Sequence, residues 1–157
     1  SYWTYSTSRS TKFDGNTVKD LPSVNATIST GFTSTFYGVF AYYNYGNSTY
    51  NFSVSSNTFD NIKMTSTGYI TYCWYNYNAN CSGNTIKNNL ANSTFYGLYW
   101  YYPYNEIIAN NNTMTNNFTK GTTYFTYLFY GGRHEMVGNK IDNVSAKFIV
   151  GGLLIYT

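Results

Sequence analysis

Six carboxylates are all that this 157-residue chain offers for acid–base chemistry: Asp14, Asp20, Asp60, Glu106, Glu135 and Asp142. Glu106 and Glu135 stand about one repeat apart, the second beside Arg133 and His134, and this cluster is the best placed to hold a general acid and base. Glycoside hydrolysis needs its two carboxyls ~5 to 9.5 Å apart. Asp60 and Asp142 occupy equivalent positions three coils apart, ~14 Å at strand spacing, which is too far. Asp20 and Asp60 fall at successive positions whose side chains face opposite ways. One histidine without ligand spacing, His134, and two cysteines, Cys73 and Cys81, fall short of a four-ligand zinc site. Calcium wants more clustered carboxylates, and no nucleophile-elbow, P-loop or dinucleotide motif is present. The expectation is no enzyme, no metal and no cofactor, with Glu106, His134 and Glu135 as the alternative catalytic set.

The cysteines enclose the seven residues from Trp74 to Asn80. They are either a disulfide that staples one loop in an oxidising compartment or two free thiols, and spacing alone leaves both open. Asn-x-Ser/Thr occurs at Asn25, Asn47, Asn51, Asn80, Asn92, Asn111, Asn117 and Asn143. These are the N-glycan candidates of a secreted or cell-surface chain. Only 10% of residues are charged and the net charge is +3, with Lys and Arg scattered. Nucleic-acid binding is not expected without a basic stripe. No apolar run reaches the ~20 residues of a membrane span.

The elements that position these residues repeat. Asn16-Thr17-Val18-Lys19-Asp20 returns as phrases beginning at Asn57, Asn84, Asn112 and Asn139, the last four spaced 27, 28 and 27 residues apart. A fixed period of this length predicts one unit stacked on itself, a single domain over 1–157. Number each phrase 0 to 4. Position 2 is always apolar, so strand alternation sends positions 0, 2 and 4 inward together. This predicts a structural Asn/Asp ladder of Asn16, Asp20, Asn57, Asn61, Asn84, Asn88, Asn112, Asn116, Asn139 and Asn143. Position 3 faces out and reads Lys19, Asp60, Lys87, Thr115, Asp142, with opposite signs in adjacent coils. Gly15, Ser56, Gly83, Asn111 and Gly138 precede the phrases and predict a turn at positive φ.

A second strand, dense in aromatics, follows each phrase by about 13 residues, as in Phe95-Tyr96-Gly97-Leu98-Tyr99. Tyr alone supplies 20 residues. Aromatics around Trp74 and Trp100 could bind sugar rings, but their equivalence across coils predicts stacked ladders. The first unit is longer than the others, and its excess is placed at 22–33 and 46–50 as excursions from the stack.

Asn84-Thr85-Ile86-Lys87-Asn88-Asn89 followed by a Tyr- and Gly-rich strand resembles the right-handed parallel β-helix repeats of the pectin-lyase-like superfamily. The resemblance implies an all-β, right-handed parallel β-helix of about five coils, with apolar residues in the lumen and Asn ladders at a turn. It spans lyases, adhesins and structural proteins alike and assigns no chemistry. Richness in Tyr, Asn, Ser and Thr is also similar to glycosylated surface and filament proteins of archaea. Ser1-Tyr2-Trp3-Thr4-Tyr5 and Leu153-Leu154-Ile155-Tyr156-Thr157 map to the same strand of the repeat, so both ends are expected to present strand edges of matching phase. The functional expectation is a secreted, N-glycosylated structural protein that stacks head to tail with copies of itself into a filament or cell surface. Its alternatives are a carbohydrate-binding or carbohydrate-cleaving β-helix domain, and a filament joined by a donor strand from residues 1–11.

Overall fold

The computed structural model describes residues 11–21, 35–44, 52–102, 104–129 and 132–151. Among them every regular element is a strand, and every pairing between strands is parallel. The chain winds as a β-solenoid, as the repeat predicts. Parallel strands from successive coils lie side by side, so each repeat position becomes a column. No helix is long and apolar enough to cross a membrane among the described residues.

Each coil has three faces. The phrases form the first, with strands Thr17–Leu21, Thr58–Met64, Thr85–Lys87, Thr113–Thr115 and Lys140–Asp142. Phrase residues stand in register: Val18 beside Phe59, Phe59 beside Ile86, Ile86 beside Met114, Met114 beside Ile141. The aromatic strands Phe36–Asn44, Gly68–Asn76, Phe95–Tyr101, Thr122–Phe129 and Phe148–Val150 form the second. A third face, which the two-strand reading did not separate, is built from Thr11–Lys12, Phe52–Ser53, Asn78–Asn80, Glu106–Ile108 and Arg133–Glu135. Its strands are only two or three residues long, so they carry a single inward residue each and leave little periodicity to detect.

Register also locates the longer first unit. Leu21 pairs with Ile62 and Phe36 with Gly68, so fifteen steps in the first coil cover what six cover in the second. Asn44 pairs with Asn76 and Phe52 with Ala79, so eight steps cover what three cover. The extra residues therefore fall at 22–34 and 45–51, where the sequence reading placed its excursions, and these lie outside the described residues.

Inside the coil the apolar columns close without charge. Phe59, Ile62, Met64, Ile70, Ile86, Leu98, Trp100, Ile107 and Met114 are all fully buried. Along the aromatic strands, size alternates between coils at one inward position: Gly38, Ile70, Gly97, Phe125. A Cβ on Gly97 would lie 2.6 Å from the Phe125 carbonyl oxygen and 2.7 Å from Met114 Cε. The glycines there make room for their bulky neighbours.

The turn before each phrase behaves as expected, with φ of 69°, 57°, 69°, 55° and 67° at Gly15, Ser56, Gly83, Asn111 and Gly138. At position 0 the Asn column is a continuous ladder, buried at Asn57, Asn84 and Asn112. Asn84 shows the pattern: Nδ2 donates to Val54 O at 2.8 Å and Asn112 Oδ1 at 3.0 Å, while Oδ1 accepts from Asn57 N at 3.0 Å and Asn57 Nδ2 at 3.1 Å. Asn16, Asn57, Asn112 and Asn139 continue it through equivalent bonds. Each inner carboxamide thus meets both its donors and both its acceptor sites, which is what allows so polar a column to sit in the lumen.

Position 4 departs from expectation. Asp20, Asn61, Asn88, Asn116 and Asn143 do not point inward; all five adopt left-handed backbone, φ 48° to 56°. A left-handed residue breaks strand alternation, so the chain bends there and the side chain turns to the surface. Position 5 takes the inward place instead. There Asn89 and Asn117 form a second, short buried ladder: Asn89 Nδ2 donates to Asn117 Oδ1 at 2.9 Å and Asn117 Nδ2 to Ile86 O at 2.9 Å. The displaced position 4 residues bond between coils on the outside, Asn61 to Asp20 at 2.8 Å and Asn143 to Asn116 at 2.7 Å, while Asn88 reaches the position 3 residue Asp60 at 2.7 Å.

Candidate functional site

The alternative catalytic set lies on the third face, where strand alternation divides it. Register sets Glu106 beside Arg133, Ile107 beside His134 and Ile108 beside Glu135. His134 therefore continues the inward column of Phe52, Ala79 and Ile107, while Glu106 and Glu135 point outward. Burial lowers the His134 pKa, and Nδ1 has no hydrogen-bond partner. It faces away from both carboxylates, so the three do not form one site. The two glutamates do share a surface, about 8 Å apart along the diagonal of adjacent strands. Each is held by a structural partner: Glu106 Oε1 lies 3.5 Å from Arg133 Nε, and Glu135 Oε1 accepts from Asn110 Nδ2 at 2.6 Å.

The other four carboxylates are engaged in the same manner. Asp14 Oδ1 accepts from Ser53 Oγ at 2.6 Å and Ser55 N at 2.7 Å, tying the first coil to the second. Asp60 takes Lys87 at 3.3 Å, the alternation of charge expected at position 3, and Asp142 takes Lys140 at 3.3 Å. Asp20 receives Asn61. Among the described residues no three of His, Cys, Asp and Glu gather as a metal site.

Cys73 and Cys81 are both free and fully buried. Cys73 occupies the inward column of Ala41, Trp100 and Leu128. Cys81 stands at the corner position filled by Val54 and Ala109 in neighbouring coils, where their amides make equivalent intercoil bonds. Both thiols act as small apolar residues, and burial raises the pKa of each. Of the two states that the spacing left open, the structure has the free thiols. Trp100 is likewise a lumen residue, packed edge-on against Phe52 at 6.1 Å, and takes no part in a surface platform.

The largest constellation is the outer surface of the aromatic strands. Tyr37, Tyr69, Tyr96 and Tyr124 stack in one column with centroids 5.2, 4.6 and 4.8 Å apart. Phe40, Tyr72, Tyr99 and Tyr127 stack in the next at 5.1, 4.8 and 4.9 Å. Tyr42, Trp74, Tyr101 and Phe129 line a third, in which Trp74 meets Tyr42 and Tyr101 edge to face at 85° and 78° and Tyr101 stacks on Phe129. Rings that rise ~4.8 Å per coil yet touch at ~3.5 Å must tilt by about 45°. Opposite tilts in adjacent columns give near-perpendicular planes, and the first two columns meet at 81° to 90°. The first two columns form a herringbone whose ring faces cover one another along each column. Sugar stacking needs an open ring face, so the geometry is that of a ladder. Burial raises the phenol pKa of Tyr69, Tyr72, Tyr96 and Tyr99, the second and third of these to about 12.

The sequons divide by exposure. Asn92, Asn111 and Asn143 are exposed, Asn80 is half-buried, and Asn25, Asn47 and Asn51 lie outside the described residues. Asn117 is the exception to an exposed set: it is a buried rung of the position 5 ladder, where Asn stands in only two of the five copies, Asn89 and Asn117, beside Leu21, Ile62 and Val144.

No family model, curated protein or solved structure matches this chain significantly.

Proposed function

We propose that the protein is a structural solenoid of the extracellular surface, N-glycosylated and stacked head to tail with copies of itself, with no catalytic role. The observation that carries this reading is the engagement of every carboxylate in the chain by a ladder or ion-pair partner. Five of the six groups that would do acid–base chemistry instead fix coil on coil, and the sixth, Asp142, pairs with Lys140 within its own strand. The herringbone supports it too, since the rings stabilise the stack and cover one another's faces. In the last described coil Val137, Phe148 and Ile149 are individually exposed at 62%, 61% and 49%, apolar side chains available to a contact with another copy. The fold kinship proposed is the right-handed parallel β-helix class of pectin-lyase-like proteins, and the composition suits a surface protein of archaeal type.

Negative-stain microscopy across a concentration series tests the assembly, with filaments expected at high concentration; monodisperse particles throughout would refute stacking. The rival reading, carbohydrate binding or cleavage, is tested on a polysaccharide panel. Turnover abolished by Glu106→Gln or Glu135→Gln would overturn the structural assignment.

A further inference from the structure

We propose that N-linked glycans are carried at Asn92, Asn111 and Asn143 and are excluded from Asn117, so that sugar lies on the coil corners and leaves the aromatic strands bare. This rests on the secreted-glycoprotein reading and assigns its sites. N-glycosylation joins the sugar C1 to Nδ2: one N–H proton leaves, the N–C1 bond forms, and the C1–oxygen bond to a lipid pyrophosphate carrier breaks. The acceptor amide must therefore spare one N–H and open to solvent.

Asn111 meets this condition at the left-handed corner before its phrase, where it is exposed. Asn92 is exposed just beyond Leu90–Ala91, on the corner that leads into an aromatic strand. Asn143 is exposed at the left-handed bend, and its Nδ2 uses one proton on Asn116 Oδ1, leaving the other for the bond to sugar. Asn117 fails on both counts. It is 2% exposed, and its Nδ2 donates to Ile86 O at 2.9 Å and Thr115 O at 3.0 Å, so both protons are in use inside the coil. A glycan there excludes closure of the stack. None of the sequons falls within Phe36–Asn44, Gly68–Asn76, Phe95–Tyr101 or Thr122–Phe129, and these four strands carry no charged residue either.

The test is site mapping on the full chain secreted from a host competent for N-glycosylation, with enzymatic release in heavy-oxygen water to tag each occupied Asn as Asp. Sugar is expected at Asn92, Asn111 and Asn143, with Asn117 unmodified in the folded, protease-resistant fraction. The triple substitution Asn92→Gln, Asn111→Gln, Asn143→Gln is expected to lose three glycans of mass while keeping the β-sheet circular dichroism. Occupied Asn117 in the folded fraction overturns the assignment, as do empty corner sites alongside modification elsewhere. A chain with no sugar at any sequon overturns the glycoprotein reading itself.

Discussion

Replacing Asn84 by Ala tests whether the ladder or the apolar lumen holds the coils in register. Asn84 is fully buried and its side chain takes part in four bonds of 2.8 to 3.1 Å. The substitution strips the backbone N–H of Asn57 and the carbonyl of Val54 of their partners at a place water cannot reach. Each orphaned group costs about 1–3 kcal/mol, so the loss is about 2–6 kcal/mol before any cavity is counted. Asn16 is the same ladder residue in the first coil, but it is exposed and its Nδ2 bonds, 3.1 Å to Asp14 O and 3.2 Å to Asn57 Oδ1, can be replaced by water. Asn16→Ala is expected to cost less than about 1 kcal/mol. Urea denaturation followed by circular dichroism reads the difference: with a slope of ~2 kcal/mol per molar, a 4 kcal/mol loss moves the midpoint by ~2 M. Asn84→Asp sharpens the test. A carboxylate still accepts from Asn57 but cannot donate to Val54, and burial raises its pKa, so the stability of that variant falls as pH rises through the folded-state pKa and recovers in acid. Equal costs at Asn84 and Asn16, or a cost below about 1 kcal/mol at Asn84, would refute the assignment of register to the ladder.

Asn88 turns outward in left-handed backbone; Asn88→Gly should change stability by less than about 0.5 kcal/mol and Asn88→Ala should cost about 1 kcal/mol, whereas an inward amide would cost several. Gly97→Ala drives a methyl into the Phe125 carbonyl and Met114, an expected loss of about 1–3 kcal/mol in thermal or urea melts that Gly15→Ala, which has open space, reaches only through its positive φ. Alkali should unfold the protein cooperatively. Four phenols of the herringbone, Tyr69, Tyr72, Tyr96 and Tyr99, have folded pKa values raised from 10.0, to about 12 for Tyr72 and Tyr96, so between these limits the folded chain holds more protons and stability falls as pH rises. Phenolate absorbance at 295 nm should step together with the loss of circular dichroism, and a gradual titration near pH 10 with the fold intact would contradict it. Ellman's reagent should find no thiol in the folded protein and two after denaturation, since Cys73 and Cys81 are free and enclosed; none after denaturation would mean a disulfide.

Most of the architecture was legible because a solenoid repeats its physics. Column register, the turn before each phrase and the alternating charges of Asp60 and Lys87 follow from spacing, since any residue class at a fixed period must meet itself in the next coil. The candidate site was less legible. Glu106 and Glu135 share a face, but His134 was assigned to their cluster by proximity in sequence, and a one-residue step along a strand reverses the direction of a side chain.

From the sequence alone, then, come the parallel stack, the inward Asn column at position 0 and the aromatic strands, all of them consequences of period and alternation. Tertiary structure decided what those patterns leave open. One left-handed residue at position 4 shifted the inward place to Asn89 and Asn117, and backbone conformation at a single Asn is not readable from its type. Whether Cys73 and Cys81 pair, whether Trp100 faces solvent and whether ring faces are open to a ligand all depend on which neighbours the adjacent coil supplies. Those neighbours are ~27 residues away along the chain and one strand away in space, about 4.8 Å.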